Sequence, residues 1–310
     1  MVLGLVLSSK RPMNRPIRIA VTGLTGQLVQ CLAEIGQKKR DVKVIKLGRP
    51  LLDLTRTATI ARALIAASPD LVVNTAAYTA VDLAENDPEL AYQVNAIAPG
   101  ELARVTKEMR IPFIHLSTDY VFDGKKTIPY VETDTPAPLG VYGHSKLHGE
   151  LAVSRMTDDY AILRTAWLYS PFGRNFLTTM LGRAETMDEV PVVADQFGNP
   201  TNALALASAI LTVGRNLLMS NGSDMRGVFH LAGSGHASWA DFAQEIFSAS
   251  RQLGGPFAEV KRISSADYKT MAKRPKYSNL SSRSAKEIHG TVLPDWRNST
   301  TQIVSRLIQN

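Results

Sequence analysis

The chain has 310 residues, 45% of them apolar and 20% charged, enough for one large or two smaller cores, which excludes a globally disordered protein. Glycine (21) and proline (16) are at ordinary levels, which excludes collagen-like and low-complexity classes; the single cysteine, Cys31, excludes an internal disulfide or a paired-cysteine zinc site and points to a reducing, cytoplasmic setting. No apolar run is long enough to span a bilayer.

The net charge of +7 is unevenly spread. Residues 1–18 carry Lys10, Arg11, Arg15 and Arg18 with no acid, and residues 261–286 carry eight basic residues against Asp267 alone. The remainder is mildly acidic, so the pattern is a tail and a local basic segment rather than a basic stripe. Residues 1–14 (MVLGLVLSSKRPMN) have neither the basic start nor the cleavage site of a secretory signal. They read as a disordered leader, with Met13 as an alternative start and an ordered partner-contacting arm as the other reading.

From Ile17 strands and helices alternate. IRIAVTG (17–23) is a predicted strand ending in a glycine turn, with a helix after Gly26. VKVIKLG (42–48) is a second strand, a helix follows from Thr55, and LVVNTAA (71–77) is a third strand. A long helix is expected from about Pro88 to Met109, then strands at 111–118 and 161–169 with a helix from Tyr142 to Met156 between them. This alternation demands a parallel sheet covered on both faces, an α/β doubly wound (Rossmann) fold. Past Ser170 the pattern loosens into proline- and glycine-spotted turns, a helix from about Asn202 to Leu218, a strand at 227–233 and a helix in SWADFAQEIF. The last forty residues read as irregular and basic. The expected organisation is a dinucleotide-binding domain over 15–169, recruiting about 201–233, and a smaller interleaved substrate lobe over 170–310.

Three constellations carry chemistry. The turn TGLTGQ (Thr22–Gln27) places Gly23 and Gly26 where backbone must approach a pyrophosphate at a helix N-terminus, although Val29 stands at the third glycine position. The second strand ends in Lys46-Leu47-Gly48-Arg49 with no carboxylate. An NAD ribose calls for an acid there, so Arg49 favours a 2′-phosphate and hence NADPH, with NADH left open. Third, Tyr142 and Lys146 lie one turn apart in YGHSK, on one helix face. A phenol titrates near pH 10, and an ammonium one turn away is expected to lower that value. Thr118, at a strand end, offers a hydroxyl to a carbonyl oxygen.

The segments GLTGQL, VNTAAYTAVDLAE, STDYVFDG, YGHSKLHGE, RTAWLYSPFGRNFLTTML, DQFGNPT and RPKYSNL resemble, in order, the dTDP-4-dehydrorhamnose reductase family of extended short-chain dehydrogenases/reductases. The resemblance runs from about Arg15 to Trp296. It implies reduction of a dTDP-sugar C4 ketone by NADPH, giving dTDP-β-L-rhamnose for polysaccharide precursors. It further implies Gly26, Gln27 and Leu28 at the cofactor pyrophosphate, Asp53 and Leu54 at the adenine, and Ala77, Tyr78 and Thr79 with Tyr142 and Lys146 at the nicotinamide half. Thr118, Asp119 and Trp167 would meet the substrate. Some family members bind magnesium at a dimer contact, which leaves a homodimer open, but no ligand cluster here commits to the metal.

Other features have plainer readings. His144 and His148 share helical spacing, yet no third ligand accompanies them, so a solvated face is expected rather than half a zinc site. Cys31 is expected to be packed and inert. Asp195-Gln196 and Asn199-Pro200-Thr201 are either a loop turn or part of the substrate lobe. The 261–286 segment is either a solvated basic face or a clamp on the substrate diphosphate, with Arg274 the best candidate for the clamp; no recognised nucleic-acid module surrounds Tyr268 and Tyr277. Related dehydratases carry an Asp-Glu pair after the strand-end threonine, whereas here Asp119 is followed by Tyr120, which argues against elimination. The chain also resembles the non-catalytic regulatory β subunit of methionine adenosyltransferase, and the intact Thr118/Tyr142/Lys146 set and Trp167 favour catalysis over that reading.

Overall fold

A computed structural model describes residues 15–309; the expectations about residues 1–14 fall outside the described residues. In chain order the first elements are β1 (Ile17–Thr22), α1 (Gln27–Gln37), β2 (Val42–Leu47), α2 (Ala58–Ala67), β3 (Leu71–Asn74), α3 (Val81–Ala84), α4 (Pro88–Tyr92), α5 (Ala98–Met109), β4 (Phe113–Thr118), α6 (Val141–Met156) and β5 (Tyr160–Thr165). There follow β6 (Leu168–Tyr169), α7 (Phe176–Ala184), β7 (Glu189–Val193), β8 (Phe197–Gly198), β9 (Thr201–Asn202), α8 (Ala203–Met219) and β10 (Gly227–His230). The chain closes with β11 (Ala237–Ser238), α9 (Trp239–Gln252), β12 (Glu259–Ile263), α10 (Arg283–His289) and α11 (Trp296–Ile308).

Six strands form one parallel sheet in the order β10-β5-β4-β3-β1-β2. Strand alternation explains why the runs are apolar throughout: successive residues feed opposite cores. Ile19, Val21, Leu71, Val73 and Ile114 face α1 and α8, packing with Leu28, Leu32, Leu206 and Ile210. Ala20, Val72, Phe113 and Ile162 face the other way, onto Ile60, Leu64, Leu102 and Val153 of α2, α5 and α6. The chain leaves β1 for β2 on one side and returns to β3 on the other, so the C-terminal ends of β1 and β3 form the switch point where doubly wound sheets bind ligands. A separate core of Leu177, Met180, Val190, Phe242, Phe247, Trp296 and Ile303 joins α7, α9, α11 and the β7–β12 pair.

Three expectations are corrected. The helix expected over Pro88–Met109 is interrupted by a π-helical turn, Gln93–Ile97. Pro99 has no N–H to give the carbonyl of Asn95, which loosens the ladder there. The strand expected over 161–169 breaks after Thr165, because Trp167 adopts a left-handed φ of +44° and sends Leu168–Tyr169 to pair with β9. The last forty residues are irregular only in part, since α10 and α11 follow residues 271–282: Asp295 caps α11 by accepting from the Arg297 N–H at 2.8 Å, and Trp296, Ile303 and Val304 bury one stripe of it. Its polar face of Asn, Ser, Thr, Gln and Arg hid that stripe.

Candidate active site

An open cleft of about 900 Å³ lies over the switch point. Gly23 makes the turn out of β1 at a φ of +103°, a conformation that strains any side chain. No side chain caps α1 and no acid lies in its first turn, so its first N–H groups remain open to an anion beside Gly26, Gln27 and Leu28, which line the cleft. Buried Val29 fills the place of a third glycine. At the far rim stand Arg49, exposed after β2, and Asp53 and Leu54. The Asp53 carboxylate accepts from the Thr55 hydroxyl and N–H at 2.8 and 3.0 Å, which holds it below the usual carboxylate range. An open helix start with a basic rim has the chemistry to receive an anion.

Ala77, Tyr78 and Thr79 form the next wall. Asn95, from the π turn, fixes it: its Oδ1 accepts from the Tyr78 N–H at 2.8 Å, and its Nδ2 donates to the Tyr78 carbonyl and the Ser145 hydroxyl, both at 3.0 Å. Ser145 donates in turn to the Tyr142 carbonyl at 2.8 Å, so this wall is pinned to α6. Below β1 and β3 the Thr22 hydroxyl donates to Asn74 at 2.6 Å, and Asn74 meets the His115 ring at 3.0 Å, where burial holds the imidazole well below its ordinary pKa.

Thr118, Asp119, Tyr142, Lys146 and Trp167 all line this same cleft. Lys146 is buried and donates to the Leu116 carbonyl at 2.6 Å; burial lowers its pKa to about 8 and the charge of Glu150, one turn on, opposes the drop. The Tyr142 hydroxyl is pushed up to about 12 by burial, with the Asp119 charge adding and the Thr118 hydroxyl pulling back. The expected lowering by Lys146 does not show in this arrangement: desolvation raises the phenol, and the ammonium donates to the Leu116 carbonyl. A phenol with that pKa is fully protonated at neutral pH. Asp119 accepts from the Thr118 hydroxyl at 3.0 Å, and burial raises its carboxyl to about 6. Trp167 stacks flat on Trp239, with centroids 3.5 Å apart and planes within 5°, over Gly198.

The remaining residues singled out lie elsewhere. Arg274 does not line the cleft; its guanidinium pairs with Asp82 at 2.7 Å. Asp195 accepts from the Ser265 N–H at 2.8 Å, and Asn199 donates to Gly235 at 2.7 Å and accepts from Leu280 at 2.7 Å, so both staple loops. His144 and His148 are exposed on α6, and among the described residues no group of three or more His, Cys, Asp or Glu could hold a metal ion. Cys31 is buried, its thiol pushed up to about 12. Sequence reasoning missed Asn95 and the buried pair Glu150–Arg164, in which the Arg164 nitrogens Nη2 and Nε reach the carboxylate at 2.7 and 2.9 Å, and it weighed Tyr120 only as the residue in place of an acid. Glu150 was findable, since it repeats the helical step from Lys146.

A parallel sheet with its cleft at the switch point, and a tyrosine–lysine helix beside it, define a short-chain dehydrogenase/reductase of the extended type. The model of the RmlD substrate binding domain family matches residues 17–309. The dTDP-4-dehydrorhamnose reductase of Sinorhizobium fredii is 46% identical over 94% of this chain and 98% of its own, and that of Burkholderia thailandensis is 44% identical over 91% and 96%. The crystal structure of a dTDP-4-dehydrorhamnose reductase from Clostridium acetobutylicum superposes with a TM-score of 0.86 at 36% identity, covering 95% of this chain and 100% of that one. One from Bacillus anthracis, in complex with NADP, gives 0.85 at 32% identity over 93% and 98%. The chain belongs to the dTDP-4-dehydrorhamnose reductase family. A UDP-glucose 4-epimerase from Thermus thermophilus, 17% identical with a TM-score of 0.76, shares the fold.

Proposed function

We propose that the protein reduces the C4 ketone of dTDP-4-dehydro-β-L-rhamnose with NADPH, giving dTDP-β-L-rhamnose. The carrying observation is the gathering of Thr118, Tyr142, Lys146 and Trp167 at one end of the sheet, beside an open helix N-terminus. Bound NADPH supplies the hydride; the chain's own residues do the rest. The N–H groups at Gly26, Gln27 and Leu28 take the pyrophosphate, and Arg49 takes the 2′-phosphate. Thr118 holds the ketone oxygen by a hydrogen bond, and Tyr142 gives its proton to the alkoxide that develops there. The raised pKa of Tyr142 suits that direction, because the donor is loaded before reaction. Lys146 holds the nicotinamide ribose beside Tyr142, and solvent returns the proton to the phenolate. Trp167 and Asp119 frame the sugar. Tyr120 in place of a glutamate leaves elimination without its second acid. We place this reaction in the cytoplasm; among the described residues no helix is long and apolar enough to cross a membrane.

The test is absorbance loss from NADPH on mixing with the 4-dehydro sugar nucleotide. The protein as it stands oxidises NADPH; Tyr142→Phe abolishes turnover while NADPH affinity stays within a few-fold. Full activity in that variant overturns the assignment, and no oxidation by the unmutated protein returns the non-catalytic reading.

A further inference from the structure

Around Tyr142 the chain builds a closed set of contacts that the reaction, as outlined, does not use. The Tyr120 ring meets the Tyr142 ring edge-on, with centroids 5.7 Å apart and planes at 77°. The Tyr120 backbone is pressed onto α6 at the next residue: a Cβ on Gly143 would stand 2.3 Å from the Tyr120 carbonyl oxygen, so only glycine permits this approach. The Arg274 guanidinium faces the Tyr120 hydroxyl, where its charge works against the burial that raises the phenol. Arg274 Nη2 donates to Asp82 Oδ2 at 2.7 Å, and Nη1 donates to Asp82 Oδ1 at 3.2 Å and to the Ala272 carbonyl at 3.4 Å. Asp82 Oδ1 also accepts from the Ala272 N–H at 3.0 Å, which fastens the strand of chain bearing Arg274 to α3. On the other side, a Cβ on Gly124 would lie 2.6 Å from the Pro275 and Lys276 backbone, and the Tyr277 N–H donates to the Gly124 carbonyl at 3.2 Å. The basic segment is thus laced down on both sides of Tyr120, with Arg274 facing a carboxylate and a phenol instead of open cleft.

We infer that Tyr120, Arg274 and Asp82 are positioning residues for Tyr142, and that Arg274 acts through the Tyr120 ring and not as a clamp on the substrate diphosphate. The inference rests on the reductase reading above. Its physical basis is that proton delivery to a forming alkoxide tolerates little misplacement of the donor oxygen. A long aromatic side chain in an open cleft is held best by a second ring whose far end is itself tied down. Tyr120 occupies the place where related dehydratases carry an acid, so the same position that loses elimination chemistry gains an orienting role.

Tyr120→Phe, Arg274→Met and Asp82→Asn in the full chain test this. Each is expected to lower kcat roughly tenfold to a hundredfold, the range for a misplaced catalytic group. KM should stay within a factor of about three, the signature of an interaction felt in the transition state. Affinity of the apo protein for dTDP by calorimetry is expected to be unchanged, and Tyr120→Phe combined with Arg274→Met should be no worse than the poorer single variant. Added guanidinium ion should restore part of the kcat lost in Arg274→Ala. Weakened dTDP binding with kcat intact in Arg274→Met overturns the inference in favour of the clamp, and wild-type kinetics in Tyr120→Phe overturns it outright. If Arg274→Met does not fold, Tyr120→Phe, which removes one oxygen, carries the test. An inactive Tyr142→Phe beside unaffected Tyr120 and Arg274 variants defeats this inference alone; an active Tyr142→Phe defeats the reductase reading itself.

Discussion

Lys146→Met exposes the electrostatic cost built into the cleft floor. Lys146 is 2% exposed, and burial depresses its pKa from 10.5 to about 8. A base depressed on folding binds fewer protons folded than unfolded across the window from about pH 8 to 10.5. It therefore makes the protein more stable as pH rises through that window, and below pH 8 the whole penalty is present. With about 1.36 kcal/mol for each pKa unit, integration from pH 7 to 10 gives a gain of roughly 2–3 kcal/mol. Methionine, of similar length and without a charge, abolishes the gain. Urea unfolding of both apo proteins at pH 7 and pH 10, followed by circular dichroism, reads the difference. Other titrating groups largely cancel between the two chains, and Tyr142, at about 12, stays protonated in the folded state. The balance should move by roughly 2–3 kcal/mol toward the wild type on going to pH 10. A difference that stays flat with pH refutes burial as the dominant influence on Lys146.

Glu150→Gln should shift the alkaline limb of the activity profile to lower pH, because the charge of Glu150 raises the Lys146 pKa. It should also cost roughly 3–5 kcal/mol in denaturation, since Arg164, at 3% exposure, is left buried beside a neutral partner; an unmoved limb contradicts the coupling. Gly198→Ala drives a Cβ to within 2.4 Å of the Trp167 indole. The overpacking cost of roughly 1–3 kcal/mol should appear mainly as a higher KM for the sugar nucleotide, and an unchanged KM would separate Trp167 from substrate binding. Cys31, fully buried with its thiol near 12, should react with a thiol reagent only after unfolding; rapid labelling of native protein contradicts its packing.

The sheet was legible because its strands are apolar on both faces and its helices are regularly spaced, as Ile19, Ala20 and Val21 show by feeding opposite cores. The glycine turn out of β1 and the Tyr142–Lys146 step along α6 were legible because their spacing is local. What escaped was set by tertiary contact. The turn of chain at Trp167 follows from its left-handed backbone and the indole stack on Trp239, 72 positions later, which no local propensity announces. Helix α11 escaped because burial of Trp296, Ile303 and Val304 against a second core overrides a polar sequence. The protonation state of Tyr142 escaped for a related reason: spacing places Lys146 on its face, but burial sets the sign of the shift.

The charge distribution takes its meaning from the same tertiary contacts. Within 261–286, Lys261 pairs with Glu189, Arg262 with Asp241, Arg274 with Asp82 and Arg283 with Glu287, at 3.4, 2.9, 2.7 and 2.7 Å. Three of these four bonds cross to α3, β7 or α9, so three of the segment's eight cations meet acids on the body it lies against. Pairs this exposed contribute little to stability individually, about 0–1 kcal/mol each. Their value lies in register: Lys261 and Arg262 tie β12 to β7 and α9, and in the stretch between β12 and α10 the Arg274–Asp82 pair fixes the chain against α3. The fastening at Asp82 falls three residues past Thr79, on the cleft wall, and the one at Arg274 reaches Tyr120 beside Tyr142. A stretch whose sequence admits either a solvated basic face or an anion clamp is thus held to Asp82 by Arg274, and on the inference above that stitch sets the donor tyrosine in place.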